Sequence, residues 1–367
     1  MKIGIICGKT SEECLDETLV KKIPKKYKIY DLINTDVALA YIMKDKFPDI
    51  QVDIILPEDI SNQRLQKNDI NIPIGYDIIN AINEDPYIKK FSGKSGIDKL
   101  DKIYQNKKNK IFPSYDFMGF IWDKKEYLQI FQKNNIPISP TIFIKDNVQI
   151  KKLLQQIHKY KWANFIIKPI GGTSSSGLGE FKLTDCLKDL SKLNEYFEEN
   201  NEFYKEYLVQ ELITGFKEYG EIKSFWIEGK YSYAVNIIDR TKKGEFIHDE
   251  PNYKVQEIID PKVVKQITKI GKRVIEVIPK ISFNKKKTIP SMLRIDFTCC
   301  LHNKKFSPSN YYVNEIESDI AGTYINYPNV KYPMLEVMAD TYVKKAKDLL
   351  ALSNRPSKKI VRSKKKK

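Results

Sequence analysis

Three acids on two apolar stretches near the C-terminal end are spaced in a way that chemistry can use. In Met292-Leu293-Arg294-Ile295-Asp296-Phe297, strand alternation puts Arg294 and Asp296 on one face and Leu293, Ile295 and Phe297 on the other. In Tyr312-Val313-Asn314-Glu315-Ile316-Glu317, Glu315 and Glu317 share a face by the same rule. Carboxylates crowded onto two paired strands repel one another unless a cation lies between them. A hard divalent ion, Mg²⁺ shared with phosphate oxygens, suits such a set. A solvated sheet face would show the same alternation with no ion at all.

A second constellation lies upstream. Phe165-Ile166-Ile167-Lys168-Pro169 reads as an apolar strand ending in lysine, and residues 171–179 (GGTSSSGLG) then carry four of the chain's 16 glycines and four hydroxyls. Such a loop turns backbone N–H groups and hydroxyls onto a polyphosphate, to which Lys168 adds a point charge. The competing reading is a flexible linker, but a linker needs no apolar strand ending in lysine in front of it. Two other glycine-lysine pairs, Gly8-Lys9 and Gly93-Lys94, are not P-loops, because Ile3 and Ile88 stand where the first glycine of that motif belongs.

Composition narrows the class. At 367 residues, 41% apolar and 30% charged, the chain is long enough for two or three domains with ample core. No apolar run reaches the ~18–20 residues that cross a bilayer, and the opening MKIGIICGKTSEE lacks a signal-peptide pattern. A cytoplasmic protein is expected. Five cysteines without a CxxC and three scattered histidines argue against a disulfide framework, a zinc cluster or a histidine metal site. Of the net charge of +16, eight charges fall in the last 13 residues, so half of the excess is a tail. Only six of the 63 basic residues are arginine, which suggests a coding bias toward lysine. Each arginine therefore says more than any lysine, since arginine is the side chain that grips phosphate or carboxylate in a bidentate fork.

The elements that must position these groups alternate in type. KIGIIC (2–7), QVDIIL (51–56) and the region from INIPIG onward predict a small parallel α/β domain, followed at 92–113 by a polar, basic surface segment. Asp123 and Glu126 cap a helix over 123–135 that prolines 137 and 140 close. A helix is expected near 184–199, with Leu187, Leu190, Leu193 and Phe197 on one face. Residues 207–213, 221–229 and 230–239 read as strands, the last two forming a hairpin through Glu228-Gly229. Helices near 260–278 and 334–352 flank the acid-bearing strands. The expected domains are 1–113, 114–205, 206–352 and a disordered basic tail, 353–367.

Together these motifs resemble the ATP-grasp superfamily, and within it the carboxylate-amine ligases such as glutathione synthetase and D-alanine:D-alanine ligase. The resemblance covers roughly residues 114–325, and it implies a mixed α/β and α+β fold in which two α+β subdomains grip ATP behind a Rossmann-like N-terminal α/β domain. It implies that Lys124 and Lys168 bind ATP. Gly171, Gly172, Ser174, Ser175, Ser176 and Gly177 would belong to the loop that closes over the phosphates. Gln210, Glu211 and Ile213, in Val209-Gln210-Glu211-Leu212-Ile213, fall at the hinge that takes adenine, and Glu221 at the ribose, with Glu218 a near competitor. Arg240 and Arg294 match arginines that face the γ-phosphate or the acyl group. Asp296, Glu315 and Glu317 match the ligands of two Mg²⁺ ions, Mn²⁺ being an alternative. Glu317 is a departure, because the family usually carries Asn there.

The implied reaction couples a small-molecule or peptide carboxylate to an amine at the expense of ATP, and a homodimer is left open. One rival keeps the ATP site and changes the acceptor: inositol-phosphate kinases of the same fold, which Val209-Gln210-Glu211 with Lys223 also fits. Another is a nucleic-acid or interaction protein working through its basic tail, KKIVRSKKKK, which would also serve as a nuclear signal.

Overall fold

Isoleucine-rich runs build the first domain of the computed structural model, which describes residues 1–8, 14, 16–28, 32–74, 101–171, 177–239, 253–299, 311–318 and 322–351. Strand β1 (Lys2–Ile6) is followed by helices α1 (Glu17–Lys22) and α2 (Thr35–Lys46), strand β2 (Gln51–Ile55), the short helix α3 (Asn62–Leu65) and strand β3 (Ile70–Pro73). The strands form a parallel sheet in the order β2-β1-β3. Parallel strands are covered on both faces, which is why Ile3, Ile5 and Ile6 are all fully buried. Helix α2 is buried on nearly every side, from Thr35 to Ala40 and again at Met43.

The basic stretch before residue 113 departs from expectation. It is helical over 101–105, and Ile103, Tyr104, Ile111 and Phe112 are buried in the core. Its lysines ride on the outer side of an inward-facing apolar set, so composition alone misled.

Helices α4 (Tyr115–Trp122) and α5 (Lys124–Lys133) come next. Asp123 caps α5, its Oδ1 accepting from the Glu126 amide at 2.9 Å, and Tyr127, Leu128 and Phe131 form the buried stripe. The central unit comprises β4 (Thr141–Lys145), α6 (Ile150–Lys159), β5 (Asn164–Pro169), β6 (Gly179–Lys182), α7 (Leu183–Lys188), α8 (Ser191–Asn200) and β7 (Glu206–Glu211), with the strands antiparallel in the order β4-β7-β5-β6. One face of this sheet, Ile142, Phe165, Ile167, Tyr207 and Val209, packs under the helices. The single helix expected near 184–199 is in fact two. Asp189, the C-cap of the first, takes the amide and the hydroxyl of Ser191 at 2.9 and 2.8 Å across the break. The second turns Leu193, Tyr196 and Phe197 inward, while the first leaves Leu187 exposed.

The last unit contains α9 (Thr214–Tyr219), β8 (Glu221–Ile227), β9 (Lys230–Asp239), β10 (Tyr253–Glu257), α10 (Pro261–Val277), the small hairpin β11 (Ile281–Phe283) and β12 (Lys286–Thr288), β13 (Met292–Cys299), β14 (Tyr311–Ser318) and α11 (Met334–Leu350). Its sheet is antiparallel in the order β10-β9-β8-β13-β14. The β8–β9 hairpin turns through Glu228 (φ 50°) and Gly229 (φ 73°), as its sequence predicts. Helix α10 lies on the back of the sheet so closely that a Cβ on Gly271 would come 2.1 Å from the Trp226 ring. Helix α11 returns to the first domain and packs along α2, where Lys46 pairs with Asp340 at 2.7 Å. The proline segment after α5 joins the two large sheets: the Val313 amide on β14 donates to the Pro137 carbonyl at 2.8 Å just before the chain enters β4.

Candidate active site

The free face of the central sheet and the front of the last sheet bring the sequence-flagged groups together. Lys124 opens α5 and is 5% exposed, its Nζ 2.8 Å from Glu315 Oε1. Lys168, directly opposite Leu208 in the β5–β7 register, donates to Asn314 Oδ1 at 3.4 Å. Burial, with Lys124 adding to it, lowers the Lys168 ammonium below the usual lysine value against the pull of Glu315.

On the facing sheet, Asp296 pairs in register with Glu315 on one side and Lys223 on the other, and Arg294 pairs with Glu317. Asp296, Glu315 and Glu317 each offer an oxygen within 4.8 Å of the others. The donors are all oxygen, and Glu317 Oε2 is buried with no hydrogen-bond partner, so the set fits a hard divalent cation such as Mg²⁺. Arg294 is 5% exposed and clamps the cluster from behind. Its Nε and Nη2 reach the two oxygens of Asp296 at 2.8 and 2.9 Å, and Nη2 also meets Glu317 Oε1 at 2.6 Å. Burial would raise the Glu315 carboxyl, but Lys124 and Lys168 outweigh it and hold the group at about 2. At Glu317, burial wins over Arg294, and Asp296 and Glu315 add to it, so that this carboxyl is raised to about 7.

A bulge in β14 shapes the cluster. Asp296 faces Glu315 while its neighbour Phe297 faces Val313, which leaves Asn314 as an extra residue. Plain alternation would send Asn314 away from Glu315, yet Asn314 accepts from Lys168 and donates to Glu221 Oε1 at 2.7 Å. Asn314 thus belongs to the site, and nothing in the sequence marks it. Lys223, which the sequence brings in only for the kinase alternative, pairs with Asp296 at 2.7 Å and Glu221 at 2.8 Å. Its i, i+2 spacing from Glu221 on one strand was the available signal.

Tyr324 is a third addition, held with a positive φ of 58° behind Gly322, whose Cβ, if it had one, would come 3.3 Å from Arg294 Nη1. Burial pushes the Tyr324 phenol up to about 12 against the opposing charges of Lys223 and Arg294. Tyr233 fixes the turn by donating to the Thr323 carbonyl at 2.8 Å, itself stacked between Phe225 and Tyr332.

The remaining candidates fall into three groups. Gln210 is buried, with its amide spent on Thr141 Oγ1 at 2.9 Å. Glu211 pairs in register with Phe165, on the face opposite Gln210, and Ile213 caps the start of α9 where the chain crosses between the sheets. Glu221 is engaged by Lys223 and Asn314, while its competitor Glu218 is exposed on α9. Gly171 lies in the turn that follows β5, and Gly177 re-enters the described chain with φ 69°. Gly172, Ser174, Ser175, Ser176 and Arg240 lie outside the described residues.

Two antiparallel sheets closing on a cleft of lysines and carboxylates, behind a parallel α/β domain, define the ATP-grasp fold. No family model and no curated protein matches the sequence, but solved structures match the fold. D-cycloserine synthetase DcsG superposes with a TM-score of 0.62 at 9% identity, covering 94% of this chain and 100% of that one. The D-alanine–D-alanine ligase of Bacillus anthracis complexed with ATP gives 0.57 at 14% identity, covering 96% and 99%. The ATP-grasp ligase PsnB, complexed with minimal precursor, Mg and ADP, gives 0.56 at 9%, covering 94% and 98%. The chain therefore has the fold of the ATP-grasp ligases. Among the described residues, no helix is long and apolar enough to cross a membrane.

Proposed function

We propose that this chain is an ATP- and Mg²⁺-dependent ligase that joins a carboxylate, small or peptidic, to an amine through an acylphosphate. The observation that carries the reading is the meeting of Lys124 and Lys168 with Asp296, Glu315 and Glu317 across one cleft. On this reading the lysines of the central side take phosphate oxygens, and the carboxylates of the opposite sheet hold metal. Mg²⁺ held by Asp296, Glu315 and Glu317 would supply charge neutralisation at the phosphates. Lys124 and Lys168 stabilise the negative charge that accumulates on the transferring phosphoryl group. Arg294, fixed by Asp296 and Glu317, offers a rigid positive wall to the carboxylate or its acylphosphate oxygen. The amine then attacks the acyl carbon and phosphate leaves. No nucleophilic side chain is needed for this chemistry. The backbone where β7 passes into α9, from Glu211 to Ile213, is assigned to the base, and the stretch from Gly171 to Gly177 to the phosphates.

The test is turnover with Mg²⁺ and ATP across a panel of amino acids, peptides and polyamines. A ligase releases inorganic phosphate only when carboxylate and amine are both present. Phosphate retained on an acceptor without an amine would establish the kinase reading instead.

A further inference from the structure

The cleft contains a cation that the proposed chemistry leaves unused. Lys223 rises from β8 beside Asp296, its side chain 12% exposed, and donates to Asp296 Oδ2 at 2.7 Å. That carboxylate is fully buried, and its Oδ2 is already filled: besides Lys223 it accepts from Arg294 Nη2 at 2.9 Å, while Oδ1 accepts from Arg294 Nε at 2.8 Å. An oxygen that binds Mg²⁺ at roughly 2.0–2.1 Å has no room for an ammonium in hydrogen-bonding range on the same side. A metal that takes Oδ2 must therefore displace one of the two cations.

Arg294 is the one that stays. It keeps Oδ1 of Asp296, and Glu317 holds it a second time at 2.6 Å. Lys223 is a point charge on a flexible stem, and its other partner, Glu221 at 2.8 Å, is not one of the three clustered carboxylates. Glu221 is joined through Asn314 to Lys168 by contacts of 2.7 and 3.4 Å. A lysine released from Asp296 is thus already tethered on the side where Lys168 waits for phosphate.

We propose, on the strength of the ATP-binding reading of this cleft, that Lys223 is a further phosphate-binding residue. Asp296 holds it in reserve until a divalent ion takes that carboxylate. Metal and nucleotide then exchange partners with the protein: the carboxylate passes from lysine to metal, and the lysine from carboxylate to phosphate. Each ligand prepares the position the other needs.

Opposite signs in two binding measurements test this. In K223Q, calorimetry without nucleotide should show Mg²⁺ binding several-fold tighter than in the wild type, because its competitor at Asp296 is gone. The same variant should bind AMPPNP with Mg²⁺ roughly tenfold or more weakly, the size of one charge-assisted contact, and K223R should restore most of that loss. K223M, which keeps the apolar stem, should behave like K223Q. Mg²⁺ binding that is unchanged or weaker in K223Q and K223M would overturn the proposal, as would failure of both variants to fold. K168A separates the two levels of the argument. If K168A leaves AMPPNP affinity untouched, the ATP reading itself fails. If K168A weakens it but K223Q lacks the opposed signature, only the role of Lys223 falls.

Discussion

Lys168 and Asn314 meet across the cleft, the ammonium donating to the amide oxygen at 3.4 Å, although one belongs to the central sheet and the other to the last. The contact exists because the bulge opposite Asp296 turns Asn314 toward its neighbour's face. It ties the strand-end lysine to the rim of the carboxylate cluster.

Lys168→Ala is expected to lower nucleotide affinity roughly 10- to 100-fold, the range of one hydrogen bond to a charged group, and to abolish turnover. Fluorescent-nucleotide titration checks it. Wild-type affinity in that variant would remove the phosphate site from this strand.

Asp296→Asn should lose Mg²⁺ binding almost entirely, because it strips a charge from the centre of the cluster. Glu317→Asn, which installs the residue more usual in the resembled family, should stay active within about tenfold, since it keeps an oxygen ligand and costs Arg294 only its ion pair with Glu317. Mg²⁺ titrations of binding and rate compare the two. An inactive but folded Glu317→Asn would give Glu317 a role beyond metal binding.

Gly177→Ala should destabilise the protein by about 1–2 kcal/mol from its left-handed backbone alone, and by more because the new Cβ would lie 2.7 Å from the Pro169 ring. Gly171→Ala is the control, with nothing within 4 Å of its Cβ and no positive φ. A lower Tm in the first and an unchanged one in the second is the expected pair.

Asp53 accepts two hydrogen bonds from Arg64, at 3.0 and 3.4 Å, and one from Asn68. Burial works to raise this carboxyl, but Arg64 and Asn68 outweigh it and lower it below its ordinary value of 3.8. A carboxyl lowered on folding stabilises the native state above its unfolded value, and that gain is lost as pH falls through the folded one. The Tm gap between wild type and Asp53→Asn should therefore be steady near neutrality and shrink below about pH 4. A gap that widens in acid would reverse the sign of this linkage.

Patterns decided within a few residues were legible beforehand. Glu228-Gly229 announced its hairpin because a two-residue turn demands positive φ, and Asp123 announced its helix because an acid three residues before Glu126 caps the first turn. The carboxylate trio followed from strand alternation together with a resemblance that set the strands side by side. What escaped depends on irregularity or on background. The bulge at Asn314 breaks the alternation that sequence reading assumes, and Asp189 divides a helix that apolar spacing alone would continue. Lys223 enters the sequence reading only through the kinase alternative, because in a chain with 63 basic residues a lysine's place in the carboxylate cluster shows only when its partners are seen.

The packing of α11 along α2 bears on how the chain can be divided. Helix α2 has almost no free side, because the parallel sheet takes one flank and a helix some 300 residues later in the chain takes the other. A fragment ending near residue 113 would lay bare an apolar helix flank, and is expected to aggregate or remain partly unfolded when expressed alone. The first and last thirds of the polypeptide are therefore expected to fold as one partnership. Adding residues 322–351 in trans should rescue the solubility of such a fragment, and adding the central segment should not.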